Sequence, residues 1–244
     1  MKILGVRVDN FSKKEILEKI EFFLTEKAFH QIVTVNPEFV VEAQKNQTFK
    51  NILKGSALSV ADGVGISYAF LRFGKVLKQR ITGVALLSEI LKIANQKKIT
   101  VFLAIKKDGL SSFEEIKFAL SKIYPALKIV GNDYDLSQHD HTKKDDQLPM
   151  TDCCILFCNF GAPFQEKFIF TQKSANIRLA MGVGGAFDFI TKKTHRAPMI
   201  LQQIGLEWLW RMILQPRRWR RIISAVIIFP VKIIFSKKQH ERFE

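Results

Sequence analysis

Asp62 is the first residue in this 244-residue chain whose surroundings suit catalysis. It ends the apolar run Ala57–Ala61 and is followed by Gly63, so its carboxylate projects where a strand opens into a loop. A carboxylate there can take a proton from an attacking hydroxyl. The same position also suits the N-cap of a helix over 63–73, and position alone leaves both roles open. Thr34 and Asn36 close another apolar run. They offer a hydroxyl and an amide to a polar ligand, while Asn36-Pro37 equally suits the start of a helix. Gly161–Lys167 follows a third run and turns into a helix. Its free N–H groups suit an oxyanion or phosphate, although any loop entering a helix reads the same way.

Gly182-Val183-Gly184-Gly185-Ala186-Phe187-Asp188 is a glycine cluster after a fourth run. Glycines let the backbone approach a diphosphate closely. The spacing is neither that of a dinucleotide-binding turn nor that of a phosphate-binding loop with Lys-Ser/Thr, which weakens dehydrogenase and nucleoside-triphosphatase readings. Asp133-Tyr134-Asp135 could hold a divalent ion but sits in a turn-rich stretch. His139 and His141 lack a third ligand in register, and a surface loop explains them better. Cys153, Cys154 and Cys158 lie in an apolar strand pattern and read as core thiols in a reducing compartment.

The elements that must position these groups alternate along the chain. Strand patterns occur at 3–8, 31–35, 57–61, 99–104, 127–130, 153–158 and 177–181. Helical patterns occur between them, at 13–29, 63–73, 82–95 and 111–124. Ser12 and Glu15 form a capping box for the first helix, whose Ile16, Ile20, Phe23 and Leu24 share a face. The alternation predicts a layered, Rossmann-like α/β domain with a largely parallel sheet over residues 1–200. Its polar loops fall at strand ends, where such sheets bind ligands.

Residues 201–244 predict a helical, basic appendage. Lys and Arg total 38 against 23 Asp and Glu, a net charge of +15 that calls for an anionic partner. From Gly205 onward, nine cations face three Glu. Trp208, Trp210 and Trp219 lie among arginines, and indoles favour the headgroup zone of a membrane. The run Ile222–Phe235 is too short to span a bilayer and includes Pro230 and Lys232, so it suits the membrane surface or a subunit interface. The N-terminus lacks a signal-peptide pattern.

Eight segments together resemble the WecG/TagA/CpsF family of bacterial glycosyltransferases. In order, they are Thr-Val-Asn-Pro-Glu (34–38), Ala-Asp-Gly-Val-Gly (61–65), Gln-Arg-Ile-Thr-Gly (79–83), Gly-Ala-Pro-x-Gln-Glu-Lys (161–167), Gly-Val-Gly-Gly-Ala-Phe-Asp (182–188), His-Arg-Ala-Pro (195–198), Gly-Leu-Glu-Trp-Leu-Trp-Arg (205–211) and Pro-Arg-Arg (216–218). The resemblance implies inverting, metal-independent transfer from a UDP-sugar, often UDP-N-acetylmannosamine, with no cofactor. The implied acceptor is a polyprenyl-diphosphate-linked sugar at the inner membrane face, in cell-surface polysaccharide synthesis.

By that resemblance, Asp62 is the base and Thr34, Asn36, Arg80 and Gln165 line the pocket. Arg211, Arg218 and Arg221 close over the diphosphate. With the glycine loop, the expected binding set adds Gly184, Gly185 and Asp188. The expected partners are the donor, the lipid-linked acceptor, an anionic membrane surface and a second copy of the chain, but no nucleic acid. Ala85, the loop 104–109 and Lys192 depart from the family pattern; the first two fall in loops expected to touch donor or acceptor and imply a divergent donor. Two other readings compete: a non-catalytic scaffold that binds nucleotide-sugar or lipid, and a basic nucleic-acid-binding protein whose polar strand-end loops would then go unexplained.

Overall fold

Six parallel strands form the central sheet, and five of them end at the cavity described below. In the computed structural model, residues 1–136, 155–174, 176–195, 197–198, 201, 207–214 and 219–236 are described. The strands are β3 (His30–Val35), β4 (Leu58–Ala61), β5 (Thr100–Lys106), β6 (Lys128–Tyr134), β7 (Ile155–Cys158) and β8 (Leu179–Gly182). Their order in the sheet is β4-β3-β8-β7-β5-β6, and every neighbouring pair is parallel. The Rossmann-like α/β expectation holds. The chain runs on from β5 to β6 on one side and from β7 to β8 on the other. The connections therefore diverge between β5 and β7, the kind of switch point where open α/β sheets leave a crevice.

Alternate residues of each strand feed opposite layers. Val101, Leu103 and Ile105 of β5 join the cluster containing α1 (Lys13–Thr25), α5 (Gly83–Gln96) and α6 (Phe113–Ile123). Phe102 and Ala104 join a cluster on the other face with Phe168 and Ile169 of α7 (Phe164–Thr171). A sheet covered on both faces needs strands that are apolar throughout, which explains the continuous apolar runs. A third cluster packs Val33, Val35 and Ala61 under α2 (Pro37–Ala43), α3 (Gln47–Lys54) and α4 (Val64–Arg72).

Side-chain caps start the helices where the sequence places them. Ser12 and Glu15 form the expected capping box, with Ser12 N–H donating to Glu15 Oε2 at 2.6 Å. Ser112 and Glu115 form a second box at α6, and Thr82 caps α5. The first helix ends at Thr25 rather than Phe29, because Glu26 is extended and Phe29 packs into the opposite-face cluster.

Two strand assignments change. The expected strand over 3–8 is a hairpin outside the main sheet, β1 (Lys2–Ile3) against β2 (Val6–Arg7), turning at Leu4 and Gly5 with φ of 48° and 81°. Leucine is uncommon at positive φ, so the turn leaves little trace in the sequence. The loop expected at Asn132–Asp135 is largely strand, since β6 runs to Tyr134. As the sheet's edge it alternates exposure, and its polar residues look like loop.

The tail differs more. The described tail comprises α8 (Glu207–Leu214), α9 (Trp219–Ile223), a π-helical stretch (Ser224–Ile228) and α10 (Phe229–Phe235). Phe229 and Ile233 are fully buried in the third cluster with α2 and α4. Gly65 permits this contact: a Cβ there would lie 2.6 Å from Pro37 Cγ and 3.4 Å from Phe229 Cε1. The run Ile222–Phe235 thus splits into faces. Ile222, Phe229 and Ile233 serve the core, while Ile223, Ile227, Val231, Ile234 and Phe235 face solvent. Among the described residues no helix is long and apolar enough to cross a membrane.

Candidate active site

Asp62 does not cap the helix that follows it. The N-cap of α4 is Gly63, at φ 81°, without a side-chain cap. The Asp62 backbone N–H donates to Val35 O at 2.8 Å, which ties the end of β4 to the end of β3. Its Oδ2 accepts from Gly83 N–H at 3.1 Å, at the first turn of α5. A Cβ on Gly83 would sit 3.5 Å from Thr34 Oγ1 and 3.9 Å from Asp62 Oδ2, so Thr34 and Asp62 converge on one point. Glycine keeps that point open.

Asn36 does cap its helix, accepting from Phe39 N–H through Oδ1 at 2.9 Å. The cap reading holds: Oδ1 is committed to the cap, and the residue also lines the cavity, with its Nδ2 group left as a donor. Ile81 N–H donates to Ala61 O at 3.1 Å, and this lays the Arg80 segment alongside β4.

The loops after β7, β8 and β5 are tied together by side chains. Asn159 Oδ1 accepts from Lys106 N–H at 2.7 Å, across the switch point. Gln165 Oε1 accepts from Gly161 N–H at 3.1 Å and from Gly184 N–H at 3.0 Å. Gln165 Nε2 donates to Glu166 Oε1 at 2.7 Å. Asp188 Oδ1 accepts from the Ser111 hydroxyl at 2.9 Å.

These loops and the tail enclose a cavity of about 660 Å³. Thr34, Asn36, Asp62, Arg80, Gln165, Gly184, Gly185, Asp188 and Arg221 all line it, as do Lys106, Asp108, Asn159 and Glu38. Trp208, Ala225, Val226 and Pro230 of the tail complete the wall. The volume lies within the range of small-molecule and cofactor sites. The helix of Arg211 is described but its side chain is not, and Arg218 lies outside the described residues, as do Cys153, Cys154, His139 and His141. Cys158 is buried in the core, and burial pushes its thiol up. Asp133 does not line the cavity; its Oδ1 accepts from Phe113 N–H at 2.9 Å at the start of α6. Asp135 does not line it either.

Sequence reasoning singled out neither Glu38 nor Glu166. Arg221 Nε donates to Glu38 Oε2 at 2.7 Å, and its Nη2 lies 2.6 Å from the same oxygen. Glu38 stands in the first turn of α2, so this ion pair joins the tail to the strand-end loops. Glu166 is 1% exposed, and burial raises its carboxyl to about 7. The signal for both was present, since each falls inside a matched segment. Only the fold shows that one meets the tail and the other lies behind the cavity wall.

A whole-chain comparison decides the family. The model of the glycosyl transferase WecG/TagA/CpsF family matches residues 1–243. The chain belongs to that family. It is 31% identical over 245 residues to an N-acetylglucosaminyldiphosphoundecaprenol N-acetyl-beta-D-mannosaminyltransferase of Staphylococcus aureus (strain MRSA252), covering 97% of this chain and 93% of the relative. It is 34% identical over 234 residues to a protein of the same name from Bacillus subtilis (strain 168), covering 94% and 88%. Among the described residues, the matched segments 34–38, 61–65, 79–83, 161–167 and 182–188 therefore all contribute to one cavity, with tail residues in its wall.

Proposed function

We propose that the protein transfers an N-acetylhexosamine, of the N-acetylmannosamine type, from UDP to a sugar linked to a polyprenyl diphosphate. The observation that carries this reading is the convergence of Asp62, Thr34, Asn36, Arg80, Gln165, the glycine loop and Arg221 on one cavity in a chain of this family. The acceptor hydroxyl attacks the anomeric carbon of the donor. As the new glycosidic C–O bond forms, the bond from that carbon to the phosphate oxygen breaks, and the anomeric configuration inverts. The hydroxyl proton passes to Asp62, whose other anchor is the Gly83 N–H.

The leaving UDP gains negative charge as the bond breaks. Guanidinium groups stabilise such charge without reorganising at the moment of reaction. Arg221 is at the cavity, where its exchange from Glu38 to the diphosphate conserves a charge-assisted contact. Arg211 and Arg218 are assigned the same role on the sequence match alone. Metal-independent transfer is supported by that cation and by the use of Asp133 as a helix cap off the cavity.

The exposed stripe Ile223, Ile227, Val231 and Ile234, with Trp219 and the adjacent Lys232, suits docking on an anionic membrane surface. On the inner face of the cell membrane, docking there would bring a lipid-linked acceptor to the cavity. The test is product formation from a panel of UDP-sugars with a polyprenyl-diphosphate-linked acceptor analogue. Asp62→Asn is expected to lower kcat by about 10²–10⁴-fold with unchanged thermal unfolding. Full turnover in this variant would remove Asp62 as the base.

A further inference from the structure

The acid next to Gln165 has no part in the chemistry above. Glu166 lies in the first turn of α7, and its Oε1 accepts from Gln165 Nε2 at 2.7 Å. Among the described residues its Oε2 has no hydrogen-bond partner. Buried polar atoms are nearly always paired, so this one calls for an explanation. The chain also makes room for the pair. A Cβ on Gly182 would come within 2.4 Å of Gln165 Nε2 and 2.7 Å of Glu166 Oε1.

The amide of Gln165 has one workable orientation. Its oxygen receives two backbone N–H groups, from Gly161 and Gly184, so exchanging oxygen and nitrogen would set donors against donors. Glu166 Oε1 is the acceptor that completes the arrangement on the nitrogen side. One Nε2 hydrogen then remains. We propose that Glu166 is a positioning residue for sugar transfer: its carboxylate locks the Gln165 amide across the loops after β7 and β8 and presents the remaining N–H to an oxygen of the bound donor. This inference rests on the transferase reading above.

The ionised form holds the amide best, because a charged acceptor strengthens the bond. A proton on Oε1 would oppose the Nε2–H, and a proton on Oε2 would find no acceptor among the described residues. Burial is the main cause that raises this carboxyl; the Gln165 hydrogen bond and the Arg221 charge work against it. Few other ionisable groups bear on it. Cys158 on β7 is a buried thiol with its pKa pushed up, and β8 carries no ionisable side chain. On β3, the ring of His30 faces Glu26 and Arg178 O, while Gln31 Nε2 donates to the Glu166 backbone carbonyl at 3.4 Å. On α3, Lys50 lies near Gly5 and Lys54 is exposed.

The experiment measures kcat/KM for the UDP-sugar donor from pH 6 to 8 in five proteins: wild type, Glu166→Gln, Glu166→Asp, Gln165→Ala and the double variant Gln165→Ala/Glu166→Gln. With a group near 7 that must be ionised, wild-type kcat/KM rises about tenfold over that range. Glu166→Gln flattens this limb and Glu166→Asp retains it. In the Gln165→Ala background, Glu166→Gln has no further effect. An unchanged limb in Glu166→Gln, or losses that multiply in the double variant, overturns the proposal. If the wild-type protein turns over no UDP-sugar, the transfer reading fails by itself. The clamp is then read from the 15N resonance of the Gln165 side-chain amide. Titration near pH 7 that vanishes in Glu166→Gln supports the clamp, and a pH-invariant wild-type resonance overturns it.

Discussion

Replacing Glu166 by Gln turns the burial of this carboxyl into a measurable pH dependence of stability. In the folded chain burial raises the group from 4.5 to about 7. The folded state therefore holds a proton between those values that the unfolded state has released, and stability falls as pH rises through the window. A shift of this size corresponds to about 3 kcal/mol once the pH is well above 7, and to about 1 kcal/mol at pH 5, where the unfolded chain has begun to ionise. Relative to Glu166→Gln, the wild-type protein is thus expected to lose about 2 kcal/mol between pH 5 and pH 8. Any constant cost of placing an amide NH2 where Oε2 stands cancels in that difference. Urea unfolding of both proteins at the two pH values measures it. Curves that stay parallel would refute the reasoning, because the buried carboxyl would then ionise as freely as it does in the unfolded chain.

Two phenylalanines six residues apart should behave oppositely. Phe229→Ala, at a fully buried site, should destabilise by about 3–5 kcal/mol, whereas Phe235→Ala, 83% exposed, should leave unfolding unchanged and weaken partitioning onto anionic liposomes. Deleting the whole tail cannot make that distinction, since it removes core and surface together. Arg221→Lys keeps the charge but loses the planar fork, so kcat should fall while urea unfolding changes by less than about 1 kcal/mol, the scale of an exposed ion pair. Gly65→Ala drives a methyl into Pro37 and should cost about 1–3 kcal/mol, read by thermal unfolding.

The parallel sheet was legible because all its strands but the edge strand β6 are apolar on both faces and α1, α2, α3, α5 and α6 begin with side-chain caps. Asp62, Gln165 and the glycine loop were legible because strand-end polar residues stand out against such runs. The hairpin at Leu4-Gly5 was not, since its turn uses a leucine at positive φ. Nor was the extension of β6 through Gly131–Tyr134, whose edge position leaves it polar. Within the site, sequence separated the tail arginines from the body, but the partner of Arg221 is 183 residues away at Glu38. Periodicity carries no signal at that distance. Glu166 was hidden for another reason: a glutamate in the first turn of a helix normally faces solvent and complements the dipole. Here Gly182 opens the space that lets it turn inward.

The rooting of the tail in the core limits how the cavity can open. Ala225, Val226 and Pro230 form part of its wall, while Phe229 and Ile233, within a turn or two of them, are fully buried beneath α2 and α4. Swinging this segment away as a lid would expose both side chains to water, at about 1.5–3 kcal/mol each. The open form would then be populated at roughly one molecule in a hundred to one in ten thousand. Substrate traffic through such a state would be slow. The wall formed by Ala225, Val226 and Pro230 therefore behaves as a fixed jamb, and substrate passes the cavity's other margins.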